Sequence, residues 1–93
     1  MKYYFKRHWD ETRGDDYDSW GTSDWWFETD ETGEVIRQME FYEAGPVLKY
    51  NELYPEDKYG GLSEVPLDLK EFKDFAITEQ DFENQWNTSL NFT

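Results

Sequence analysis

Carboxylates are the side chains in this chain that could do chemistry. Asp and Glu number 22 against 9 Lys and Arg, with one histidine, no cysteine and a net charge of -13. The lack of cysteine excludes disulfides, thiolate metal sites and cysteine nucleophiles. Acid–base catalysis most often uses histidine. His8, the one candidate, lies between Arg7 and Trp9 in a strand-like run and reads as a structural or surface residue. Ser19, Ser23, Ser63 and Ser89 stand in neither a nucleophile-elbow nor a Ser-x-x-Lys context. Close carboxylate pairs arise by chance in so acidic a chain. A glycosidase sets its pair in a substantial cleft, and 93 residues are few for that. The sequence therefore predicts no catalytic residue and a protein that is not an enzyme.

Residues 16–24 raise a second chemistry, calcium binding. Asp16, Asp18 and Asp24 take positions 1, 3 and 9 of a loop with Gly21 at position 6, which is part of the EF-hand spacing. Position 5 is Trp20, and position 12 is Phe27 where a bidentate glutamate is needed. No helix-like segments flank the loop, so a solvated acidic loop is the plainer reading and no metal is expected. Gly60-Gly61 lacks the Lys-Ser/Thr pair and the helix start of a phosphate-binding loop, and no cofactor is implied. No basic patch offsets the charge, which speaks against nucleic acid.

What remains is a negative surface with aromatics set in it. Asp15, Asp16, Asp18 and Asp24 flank Tyr17 and Trp20, and Glu52, Glu56 and Asp57 flank Tyr54. Carboxylates around aromatic anchors suit a binder of a basic protein, since aromatics carry hot-spot energy and charge carries the association rate. These ten residues are the candidate partner-binding site. In the competing reading the aromatics pack inward and the acids only solvate the loops.

Those residues need a scaffold. High charge with low hydrophobicity would suggest disorder, but aromatics make up 20% of the chain. Each aromatic buries about 150–250 Å², so one folded domain over 1–93 with an aromatic core and a negative shell is predicted. No apolar run approaches the roughly 20 residues of a membrane span. The basic start runs into an acidic loop, unlike a signal peptide, so a cytoplasmic protein without membrane contact is expected.

Residues 2–9 read as a strand with Tyr3, Phe5, Arg7 and Trp9 on one face and Tyr4, Lys6 and His8 on the other. Residues 10–24 form a loop, in which a short strand at 17–20 would also fit. Residues 25–50 hold three strand-like runs broken at Gly33 and at Gly45-Pro46. In the second run Val35, Arg37, Met39 and Phe41 look like the core face, against Ile36, Gln38, Glu40 and Tyr42. A turn-rich connection at 51–66 follows, pinned by Tyr54, Tyr59 and Leu62. Asp68 suits the cap of a short helix over 69–74, with Leu69 and Phe72 inward. Thr78 suits the cap of a helix at about 79–87, stapled by Ile77 and Phe82, with Phe82 and Trp86 on one face. The predicted class is α+β: an antiparallel meander sheet of four to five strands, the C-terminal helix across one face and the short helix near it. An all-β sandwich carrying that helix is the alternative.

Three stretches occur in an order that looks familiar: Arg-Gln-Met-Glu-Phe-Tyr-Glu-Ala-Gly from Arg37, Tyr-Gly-Gly-Leu-Ser-Glu-Val-Pro-Leu from Tyr59, and Ile-Thr-Glu-Gln-Asp-Phe-Glu-Asn-Gln-Trp from Ile77. With them the chain resembles a family of small acidic bacterial domains of unknown function, some of which resemble immunity proteins of contact-dependent or other polymorphic toxin systems. The resemblance covers residues 33–86 and the first strand loosely, and departs at 10–24. It carries no catalytic residues. It implies association with a toxin. Taken with the acidic, aromatic surface, the expectation is an immunity protein that binds a basic toxin, expected to be a nuclease, occludes its cleft, and stands as the monomer of a heterodimer. A phage-type nucleic-acid mimic acting on a host nuclease, and a small calcium- or ligand-binding domain, are the other readings.

Overall fold

The computed structural model describes residues 1–92. Four strands, β1 (Tyr3–Trp9), β2 (Ser23–Thr29), β3 (Val35–Tyr42) and β4 (Val47–Asn51), form one antiparallel sheet in the order β1-β2-β3-β4. The meander is what the glycine punctuation requires. Gly33 and Gly45 sit at φ 95° and 115° in the β2–β3 and β3–β4 turns, a region that strains any side chain with a Cβ. A Cβ on Gly33 would also run into the carbonyl oxygen of Leu67. Between β4 and the helices a second, two-stranded sheet pairs β5 (Glu56–Asp57) with β6 (Gly60–Gly61). The sequence read this stretch only as a turn-rich connection.

Both faces of the main sheet are covered, by different elements. α2 (Glu79–Thr88) lies on the face of Tyr4 and Met39 and buries Phe82 there, with Ile77 and Trp86 packed alongside. Its start matches the expected chemistry. The Thr78 side chain accepts from the Asp81 N–H and the Asp81 carboxylate accepts from the Thr78 N–H, a closed capping box. α1 (Leu69–Phe72) continues as a 3-10 turn over Lys73–Phe75 and lies on the opposite face, where Phe72 meets Phe5 and Phe27. The short helix is therefore across the sheet from α2 and not beside it. Asp68 does cap it, accepting from the N–H groups of Lys70 and Glu71.

A register irregularity corrects the expected core face. Glu28 pairs with Arg37 but Thr29 pairs with Val35, so Ile36 is an extra residue in β3. The bulge moves Val35 off the Arg37–Met39–Phe41 face and into the Phe5–Phe27–Phe72 cluster. The face expected outward, Gln38, Glu40 and Tyr42, is also buried. It lies beneath Leu62, Tyr59 and the loop ahead of β2.

That loop, residues 10–22, is strapped down. It contains a 3-10 turn, Asp18–Trp20, where a short strand would also have fitted. The Trp20 ring lies 5.2 Å from Tyr42, 5.5 Å from Tyr59 and 5.4 Å from Phe92. Trp20 and Thr22 carbonyls accept from the N–H groups of Ala44 and Glu43 at 3.0 Å, tying the strap to the β3–β4 turn. No helix among the described residues is long and apolar enough to cross a membrane.

Candidate functional site

Strand alternation decides which polar groups share a surface. On the α1 face, Trp9 stands opposite Ser23 and Trp25 stands between Arg7 and Glu40. Between α1 on one side and the strap with β5–β6 on the other, a gap remains over this part of the face, with Ser23 and Glu40 buried at its floor. It forms a cavity of about 380 Å³ lined by Trp9, Trp25, Ser23, Glu40, Glu11 and Arg13, among others. Gly60 and Gly61 are common to this cavity and to a depression of about 520 Å³ edged by Glu56 and Glu64. On its other side Trp9 and Trp25 also wall an apolar notch of about 200 Å³ with Arg7, Phe27 and Phe72. The three adjoin as a broken groove, with Gly60 and Gly61 at one junction and Trp9 and Trp25 at the other.

Glu40 is its most unusual residue. It is 3% exposed, accepts from the Tyr42 hydroxyl at 2.5 Å and from the Gln38 amide at 2.8 Å, and lines the cavity. Burial pushes its carboxyl above the ordinary value, against the pull of those two hydrogen bonds and of Arg13. Arg13 spans Tyr17, Trp20 and Tyr42, with its guanidinium 5.4–5.8 Å from the three rings. It donates to the Tyr42 hydroxyl at 3.2 Å and to the Tyr59 carbonyl, and it pairs with Asp15 at 3.1 Å.

The ten expected site residues fall in four places. Asp15 accepts from Arg13 and from the Tyr17 N–H, and its carboxyl is held below the usual range by Arg13. Asp18 accepts from Thr12 and from the Gly14 N–H, which lowers it likewise. Both acids thus tie the strap together, and of the three Asp16 alone makes no hydrogen bond or ion pair among the described residues. Tyr17 and Trp20 face the body: their rings are 4.8 Å apart, and Tyr17 is 5.1 Å from Tyr59. Asp24 points to the other face of the sheet and bonds His8 at 2.8 Å. Asp18 and Asp24 are thus turned to different partners, and the partial EF-hand spacing is not gathered around one point.

In the second group, Asp57 accepts from the Tyr50 hydroxyl at 2.9 Å and from the Tyr59 N–H at 2.8 Å, closing the β5–β6 hairpin. Tyr54 stacks on Tyr50 at 6.3 Å. Glu56 is exposed at the groove edge, while Glu52 lines a separate depression with Lys2, Arg37 and Leu53. Of the ten, Asp15 and Glu56 reach the groove.

The groove residues that sequence reading missed are Trp9, Trp25, Glu11, Glu40 and Glu64. The alternation of β1 and β2 already put Trp9 beside Phe5 and Arg7. Their joint position depends on which elements leave that corner of the face open, and no local signal gives that. Chemically, the groove offers aromatic walls, exposed rim carboxylates at Glu11, Glu56 and Glu64, and one buried carboxyl below. Glu11, Glu56 and Glu64 make no ion pair among the described residues. No protein-family model, curated protein or solved structure matches this chain.

Proposed function

We propose that this domain is a neutralising partner of a basic protein, of the immunity-protein kind. It works in the cytoplasm, binds one toxin domain as a heterodimer and blocks that domain's cleft without catalysis of its own. The observation that carries the reading is the groove. Three exposed carboxylates without ion pairs among the described residues lie along it: Glu11 at the cavity walled by Trp9 and Trp25, and Glu56 and Glu64 at the adjoining depression that shares Gly60 and Gly61 with that cavity. A net charge of -13 surrounds it. Negative rims steer a positive partner and aromatic walls supply contact energy. A nuclease is the partner type favoured, since its substrate cleft is basic and a carboxylate-rich surface complements it.

The test is kinetic. The partner is captured by affinity purification, identified by mass spectrometry and produced separately, and the association rate is followed as salt is raised. The expected result is a fall of at least about tenfold between low and high ionic strength, with dissociation changed much less. A rate indifferent to salt contradicts charge-steered neutralisation.

A further inference from the structure

We infer that the cavity between Trp9, Trp25 and Glu40 is a seat for one lysine or arginine side chain of the bound protein. The inference rests on the basic-partner reading above and names the contact at its centre.

The cavity holds three carboxylates, Glu11, Asp15 and Glu40, against one cation, Arg13. Arg13 is already matched. Its guanidinium pairs with Asp15 at 3.1 Å, donates to Tyr42 and Tyr59, and lies over three rings. It is the strap's own fastening. Glu11 and Glu40 are left as the carboxyl groups that the cavity presents. Each Glu40 oxygen accepts one hydrogen bond, from Tyr42 on one side and from Gln38 on the other. An ionised carboxylate has about four acceptor positions, so acceptor capacity remains for a further donor.

The walls select the rest of the ligand. Trp9 is 47% exposed, and the Trp25 indole is fixed by its N–H donating to Ser23 Oγ at 2.8 Å. Indole faces attract cations, and they also pack against an apolar stem. An anion would meet Glu11 and Glu40. A purely apolar group would cover Glu11 and Glu40 and give neither a donor. A cationic head on an aliphatic stem satisfies the carboxylates and the walls together. The volume of about 380 Å³ is ample for one such side chain.

Nα-acetyl-lysine amide, its arginine counterpart and the neutral norleucine analogue are titrated into the protein, with the indole N–H signals of Trp9 and Trp25 followed by NMR. Both cationic amides are expected to shift those two signals saturably at millimolar concentration, and norleucine amide is not. Glu40→Gln should weaken the lysine amide at least about fivefold, and Trp9→Ala should do the same at an exposed position outside the core. Shifts absent, shared equally by norleucine amide, or unchanged in both variants overturn the inference. A basic protein partner that binds wild type, Glu40→Gln and Trp9→Ala alike would leave the proposed function standing and remove this cavity as its seat. Amide binding without any basic partner would do the reverse.

Discussion

Two buried glutamates show how neighbours set opposite behaviour in one residue type. Glu28 is 2% exposed, and burial pushes its carboxyl up. Arg37, bonded at 2.6 Å, and Tyr4 outweigh that and hold it below its ordinary 4.5. Glu40 has neutral donors and a more distant cation, so burial wins and it stands above 4.5. The signs for stability follow. Glu28 contributes stability that is present above its unfolded value and lost as pH falls through its folded one. Glu40 contributes stability that is present below its unfolded value and lost as pH rises through its folded one. Urea unfolding of wild type, Glu28→Gln and Glu40→Gln from about pH 7 to about pH 4 tests this. The wild-type advantage over Glu28→Gln should shrink toward acid, and that over Glu40→Gln should grow. Slopes of the same sign would contradict the two environments. Neither role was legible in the sequence. A glutamate alternating with apolar residues in a strand reads as solvent-facing until the layer above it is known.

At the scale of elements, what was legible was what is local. α2 was bounded from Thr78, Asp81 and the Ile77–Phe82 staple, all within one turn of its start, and the four strands from alternation and turn glycines. The strand partners follow from a meander. Three features depend on distant chain and were not visible: the bulge at Ile36, the placement of α1 across the sheet from α2, and the fastening of residues 10–22. The last explains where the acidic-loop reading went. The spacing of Asp15, Tyr17, Asp18 and Trp20 is that of a strap held by Arg13, with two acids closing its turns and two aromatics beneath it. Arg13→Ala removes a cation shared by three rings together with its hydrogen bonds, and should cost about 2 kcal/mol. It should also open residues 10–22 to limited proteolysis. Asp16→Ala, at an exposed position, should change neither. Equal protease resistance in Arg13→Ala and wild type would show that the strap is held by packing alone.

For the molecule as a whole, the charge and the core divide the work. Three aromatic-rich clusters, around Phe5 and Phe27, around Met39 and Phe82, and around Leu48 and Tyr50, hold the two faces of one sheet. Acidic self-repulsion opposes them. Some of the acids are paired internally, as Glu28 and Glu83 are with Arg37 and Asp15 is with Arg13. The carboxylates of the groove edge have no ion pair among the described residues, and for folding alone they are a liability. On the function proposed above, that imbalance is what meets a basic partner, through Glu11, Glu56 and Glu64. Composition alone pointed to a basic partner, and only the fold located the groove. The most direct measurement is the affinity of the Glu11→Lys, Glu56→Lys, Glu64→Lys triple variant for the captured partner, read beside its thermal melt. Facing like charges cost several kcal/mol, so binding should weaken by about a hundredfold or more, while the melting temperature stays level or rises as self-repulsion is relieved. Undiminished affinity in a folded triple variant would contradict the account.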